Sequence, residues 1–244
     1  MSSVTDAGQA HEKSLGNTVL DRLDLEDLDV LKPHLSILEV AKGEVLTPQG
    51  ELVAYVHFPV TADLSNVITF SDGRSLETSS VSRDGMSGLA AFLAEGPIAW
   101  DVVVRKAGRV RTISADLLRR QVKQSPRLLN LLLVVTHENQ AEAALTAACN
   151  ALHEVTPRLA RWLLLLADHT GDDELSVTQQ DVATMLGTQR TSINASAAAL
   201  RAAGAINYRR GRLTITNRPR LEREACECYA IQRDRAAALA AAPE

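Results

Sequence analysis

The stretch from Thr178 to Ala203, TQQDVATMLGTQRTSINASAAALRAA, decides how the rest of this chain is read. Thr178 and Asp181 have the spacing of a capping box, in which a hydroxyl and a carboxylate three residues apart satisfy each other's backbone amides, so a helix is predicted from Gln179. It presents Val182, Met185 and Leu186 on one side. Gly187 supplies the backbone freedom for a tight turn, and Thr188 is expected to cap a second helix from Gln189 to about Ala203. On that helix Ile193, Ala197 and Leu200 fall on one face, which should turn inward. Two short helices joined by a glycine-containing turn make a helix-turn-helix, whose second helix fits the major groove of DNA.

The outward residues suit that role. Gln189, Arg190, Thr191 and Asn194 carry groups that bond base edges or phosphates, arginine pairing with guanine and asparagine or glutamine with adenine. Thr178, Gln179 and Ser192 complete the expected contact set on the two helices, and Ala195 and Ala198 are small enough to let the helix approach the groove floor. After Gly204, the segment AINYRRGRLTI reads as a strand, a turn at Arg210-Gly211 and a second strand. Such a two-stranded wing, tipped by Arg209, Arg210 and Arg212, is placed to grip backbone phosphate. Residues 186–223 hold eight arginines against one acid, although the whole chain carries a net charge of −4. Neutralising phosphates with such a concentration releases counterions and favours association with DNA.

Upstream the pattern differs. Residues 17–32 read as one short helix with Val19, Leu20, Leu23, Leu25, Leu28 and Leu31 at helical spacing, closed by Pro33. From Leu35 to Ile113, short Val/Ile/Leu/Phe segments are cut by glycine, and Asp72-Gly73 between Val67–Phe70 and Ser75–Thr78 signals a hairpin. An antiparallel barrel or roll is expected, with a short helix within Gly85–Glu95. A helix over Ala115–Lys123 follows, then one from Ser125-Pro126 to about His153. On the latter, Leu131, Val134, Ala141, Leu145, Ala148 and Leu152 form a heptad seam, broken by Glu138, that is expected to hold a homodimer, the alternative being packing on the chain's own β domain. A further helix, Arg158–His169, puts Leu159, Trp162, Leu163 and Leu166 on one face and ends at the acidic loop Gly171–Glu174.

Composition narrows the function classes. At 244 residues and 45% hydrophobic content, two domains with their own cores are expected. The longest apolar runs, Leu131–Val135 and Trp162–Ala167, are too short for a membrane span, and the N-terminus lacks the basic and apolar regions of a secretion signal. Three cysteines (149, 226 and 228) make no disulfide framework, so a reducing cytoplasm is the expected location. Cys226 and Cys228 have no second cysteine or histidine pair nearby in sequence, and the six histidines form no HxxxH or HxH pattern. The reading is therefore no metal and no cofactor, with the two cysteines as small residues on a terminal helix and oxidation sensing as the alternative. No phosphate loop, GxSxG elbow or paired-carboxylate motif appears, and no enzymatic activity is expected.

The segments VHFP, SDGRSLE, RDGMSGL, RLARWLLLLAD, VTQQDVATMLGTQRTSI and INYRRGRLTI together resemble the Crp–Fnr family of bacterial regulators, over Asn17 to about Leu221. The resemblance implies an N-terminal β-roll effector domain, a dimerising helix and a winged domain that binds a palindromic operator in double-stranded DNA, with RNA polymerase as partner if the protein activates. It also shows departures. Family members that bind cyclic AMP carry Gly-Glu and then an arginine, where this chain has Met86-Ser87-Gly88 and Ile98-Ala99-Trp100-Asp101. No cysteine precedes Cys149, whereas the family's oxygen sensors hold an iron–sulfur centre on N-terminal cysteines. Thr191 and Ala195 stand where well-studied members read bases with Glu and Arg.

The expected organisation is α+β: a disordered start over 1–16, a jelly-roll-type antiparallel β-roll over 17–124, a linking and dimerisation helix over 125–154, a winged helix-turn-helix over 155–222 and a C-terminal helix or tail over 223–244. The expected function is sequence-specific transcriptional regulation as a homodimer, with an effector that the residues do not name and no membrane partner. The alternative is a protein-interaction factor that retains the fold with altered or lost operator reading.

Overall fold

The computed structural model describes residues 14–94, 96–209 and 211–241, with side chains described as far as residue 235. The chain divides into two compact units, one taking residues up to Ile68 with Ser79–Gln140, the other Thr69–Thr78 with residues from Ala141 on.

The first unit opens with two short helices, α1 (Thr18–Asp21) and α2 (Leu25–Leu31), where the spacing predicts one. The break has a local cause. The Asp24 carboxylate accepts the Asp27 amide and caps α2, and Asn17 caps α1 in the same way. Ser14–Gly16, expected within a disordered start, are packed: Leu15 is buried and its carbonyl accepts a bond from Arg111. The remainder of that start, residues 1–13, lies outside the described residues.

Strands β1 (Ser36–Val40), β2 (Val45–Thr47), β3 (Tyr55–Pro59), β4 (Asp63–Thr69) and β5 (Ser75–Val81) follow, then helix α3 (Ala90–Leu93), β6 (Asp101–Lys106) and β7 (Gly108–Ser114). They form two antiparallel sheets, ordered β1-β7-β3 and β2-β6-β4-β5, joined around one core. Val56, Phe58, Leu64, Val102, Val104, Val110 and Ile113 supply its centre, Val102 and Val104 turning inward at the two-residue strand period. Gly108 is needed for a close approach: a Cβ there would lie 2.7 Å from the Thr61–Ala62 backbone.

Helix α4 (Ala115–Gln124) leads to the long α5 (Pro126–Leu152), which contains no interior proline or glycine to interrupt it. Buried Asp27 accepts bonds from Gln121 (2.7 Å) and Ser125 (2.6 Å), tying α2 to the joint between these two helices. Leu128, Leu132 and Val135 of α5 enter the roll's core.

The second unit holds the end of α5, then α6 (Val155–Thr170), β8 (Glu174–Leu175), α7 (Gln179–Met185), α8 (Arg190–Ala202), β9 (Ile206–Arg209), β10 (Arg212–Ile215), α9 (Arg218–Glu224) and α10 (Cys228–Ala241). The wing is a three-stranded sheet ordered β8-β10-β9, because part of the expected acidic loop pairs with Leu213 and Thr214. Leu159, Leu163, Leu164, Ile193, Leu200, Ile206 and Leu213 form a separate apolar core.

His57 of β3 is buried, and among the described residues its Nδ1 has no hydrogen-bond partner. Burial lowers its pKa from 6.5 to about 4, partly opposed by Glu44. The unfolded chain therefore binds a proton between pH 6.5 and 4 that the folded chain excludes, and stability is lost as pH falls through that window. His57→Gln should remove a slope of up to about 1.4 kcal/mol per pH unit between pH 6.5 and 4, read by urea denaturation of both proteins.

Candidate nucleic-acid interface

The helix-turn-helix is built from α7 and α8 on the platform of α6. The expected capping box is present: the Thr178 hydroxyl accepts the Asp181 amide and the Asp181 carboxylate accepts the Thr178 amide, each at 3.1 Å. The chain turns at Gly187 with φ of +58°, a backbone region that glycine enters without strain. Thr188 does not cap α8 as expected. Gln189 occupies the N-cap position with no side-chain bond, and the Thr188 amide instead donates to the Ala183 carbonyl as the turn closes.

Two features seat these helices, and neither was legible in the sequence. Arg158, on the buried side of α6, donates to the Leu186 carbonyl at the end of α7. Helix ends leave carbonyls unsatisfied, so a buried one needs such a donor. The Thr156 hydroxyl donates to Ser196 of α8 at 2.9 Å. On the apolar side, Ile193, Ala197 and Leu200 are buried as the spacing predicts.

That seating leaves the opposite edge of α8 open. Gln189, Arg190, Thr191, Asn194, Ala195 and Ala198 are exposed, and Ser192 is half-buried. Thr178 is exposed and Gln179 half-buried at the start of α7. On the wing, Arg209 and Arg212 are exposed and face each other in register across β9 and β10. Arg210 lies outside the described residues. Tyr208 donates to the Val177 carbonyl at 3.1 Å and braces the wing against the start of α7.

The count of arginines overstates the basic surface. Arg218 is held by Asp168, by Glu222 at 3.4 Å and by the Tyr229 hydroxyl at 2.9 Å, and Arg220 pairs with Glu224 at 3.2 Å. Arg190, Arg201, Arg209, Arg212 and Arg223 are exposed.

On the expected dimer seam, Leu131 packs partly on the roll's core and Leu145 on buried cysteines, so both are partly committed within their own chain. Val134 and Leu152 are exposed, Leu152 by 78%, and Leu129 and Leu133 of α5 add exposed apolar surface beside Val134.

In the roll, Arg105 turns inward and stands 3.8 Å from buried Asp63. Met86 and Ile98 are buried, and the Asp101 carboxylate accepts the Gln49 amide at 2.8 Å.

One group of side chains has the chemistry of a metal site. The ligand atoms of Cys149, His153, Cys226 and Cys228 lie within 4.8 Å of one another. A bond from Cys226, opposed by burial, lowers the Cys149 thiol to about 5, whereas Cys226 itself is pushed up by the same bond and Cys228 by burial.

Residues 157–224 match the Crp-like helix-turn-helix domain family. FixK2 from Bradyrhizobium japonicum superposes with a TM-score of 0.69 at 16% identity, over 79% of this chain and 98% of that one. The c-di-GMP-responsive global regulator CLP of Xanthomonas campestris gives 0.66 at 18% identity, over 80% and 100%. A CRP-family transcriptional regulator from Thermus thermophilus gives 0.67 at 20%, over 77% and 96%. At these identities the likeness is one of fold. No curated protein sequence matches the chain. Among the described residues no helix is long and apolar enough to cross a membrane.

Replacing Thr178 by alanine removes one half of the capping box and should cost about 1 kcal/mol of stability, whereas Thr178→Ser should retain most of it. Chemical denaturation of the three proteins checks this.

Proposed function

We propose that this chain, which carries a Crp-like helix-turn-helix domain and the fold of the Crp/Fnr transcription regulators, works as a homodimer that reads a palindromic operator in double-stranded DNA. The observation that carries the reading is the exposed polar edge of α8. Gln189, Arg190, Thr191 and Asn194 occupy the N-terminal turns of a helix whose other face is buried, the geometry with which a recognition helix meets base edges. Thr178, Gln179 and Ser192 flank that edge, and Arg209 and Arg212 extend the contact to phosphate, with Arg210 between them in sequence. Because Thr191 and Ala195 replace the family's usual base-reading pair, the operator differs from the usual one.

The exposed Val134 and Leu152, with Leu129 and Leu133, support pairing of two copies along α5. Two-fold pairing matches a palindrome whose half-sites lie about one helical turn apart. RNA polymerase is the further partner if the protein activates.

The roll acts as a sensory domain whose effector is not a cyclic nucleotide bound in the usual mode. An anionic phosphate entering the roll needs a cation or several donors. Arg105, the cation that turns inward from β6, already faces Asp63, and Ile98-Ala99-Trp100-Asp101 stands where the resemblance places the phosphate-binding arginine.

With an operator selected from random duplexes, Arg190→Ala should cost about 1–3 kcal/mol of affinity and relax preference at one base position. Arg209→Ala and Arg212→Ala should instead weaken binding to all sequences and each lower the salt slope by about 1. Fluorescence anisotropy over a salt series distinguishes these outcomes, and unchanged affinity for every duplex in all three variants would overturn the DNA reading in favour of a protein-interaction role. For assembly, Val134→Asp should shift a micromolar dimer towards monomer in sedimentation velocity. A parent protein that is monomeric both free and on DNA would sink the dimer.

A further inference from the structure

We propose that Cys149, His153, Cys226 and Cys228 form a mononuclear, tetrahedral zinc-type metal site that clasps the C-terminal helix to the end of α5. The inference stands apart from DNA binding and rests on other residues.

Four observations carry it. The first is convergence. Cys149 and His153 are one helical turn apart and so share a face of the α5 terminus, while Cys226 and Cys228 come from the junction of α9 and α10, more than seventy residues on. Three cysteines and one histidine from two separated segments constitute a known structural zinc donor set.

The second is distance. Around one ion with metal–sulfur bonds of about 2.3 Å and a metal–nitrogen bond of about 2.0 Å, tetrahedral angles separate two sulfurs by about 3.8 Å and sulfur from nitrogen by about 3.5 Å. Here Cys149 Sγ and Cys226 Sγ are 3.5 Å apart, and Cys228 Sγ and His153 Nδ1 are 3.6 Å apart. A two-iron cluster would spread its ligand pairs to opposite ends of the iron–iron axis, whereas all four ligand atoms here gather within 4.8 Å.

The third is the histidine's outer side. With Nδ1 turned towards the sulfurs, Nε2 faces the Glu227 carboxylate at 3.9 Å. Metal-bound histidines commonly present their second nitrogen to a carboxylate, which orients the ring and raises its basicity.

The fourth is charge. Arg158 and Arg161 are buried on α6, and among the described residues neither has a carboxylate partner. Both lie within electrostatic reach of Cys149. A buried cation is costly unless an anion accompanies it, and thiolates provide one. Three thiolates and one imidazole around a divalent ion leave a net charge of −1 in the cluster, which a neighbouring guanidinium offsets.

Binding would release thiol protons to solvent and join the start of α10 to the end of α5, with no change of oxidation state. The full chain, purified under reducing conditions, should contain about one zinc per chain by mass spectrometry of the metal. After chelation, Co2+ added to the chain should give the visible bands of a tetrahedral thiolate complex. Cys226→Ser should abolish those bands. Glu227 is exposed on its side chain, and Glu227→Gln should weaken zinc affinity about 10- to 100-fold in competition with a chromophoric chelator while leaving the urea-denaturation midpoint of the metal-free chain unchanged. A reduced, folded parent chain that takes up neither zinc nor Co2+ would overturn the proposal. So would stoichiometric iron with acid-labile sulfide, or Co2+ bands that persist in Cys226→Ser.

Discussion

The bond from Arg158 to the Leu186 carbonyl is the constraint on which the presenting surface of the C-terminal unit depends. A helix-turn-helix works only if the angle between its two helices is held, and the turn at Gly187 alone leaves that angle soft. The guanidinium fixes the end of α7 to α6 while satisfying a carbonyl that has no partner within its helix. The Thr156 hydroxyl fixes α8 to the same platform through Ser196. With both helices referred to α6, burial of Ile193, Ala197 and Leu200 determines which edge of α8 remains in water. Full burial of Ile193 and Leu200 stabilises by about 1.5–3 kcal/mol each, enough to define the rotation of a short helix.

Helix α6 serves three neighbours through one sequence. Its leucines fill the core, Arg158 reaches the turn of the helix-turn-helix, and Arg161 bonds Thr146 and Gln232 beside the cysteine group. The two arginines replace apolar residues on an otherwise continuous buried surface, and a buried guanidinium survives only where bonds and counter-charge meet it. Their retention in the interior thus binds the turn and the cysteine group to the same helix. Within the roll, Asp27 plays a comparable part, its carboxylate holding Gln121 and Ser125 where α4 passes into α5.

Net charge along the segment is a poor guide to the field that DNA would meet. Arg218 and Arg220 are neutralised by Asp168, Glu222 and Glu224, which in sequence lie as far as fifty residues away or within one helical turn. The positive surface is narrower than the arginine count suggests, and rests on the exposed Arg190, Arg201, Arg209, Arg212 and Arg223.

Periodicity and turn chemistry alone determined a great deal: the capping box of Thr178 and Asp181, the inward face of α8, the hairpin at Asp72-Gly73, the uninterrupted α5 and the β-rich N-terminal half all follow from residues within a few positions of one another. Those features are local, so the chain states them directly. Only the tertiary structure decided that Glu174–Leu175 joins the wing, and that Leu131 and Leu145 of the seam are partly committed within their own chain. It alone brought Cys149 and His153 to Cys226 and Cys228. Each of these depends on contacts between segments far apart in sequence, and spacing along the chain carries no information about which distant side chains will share one buried point.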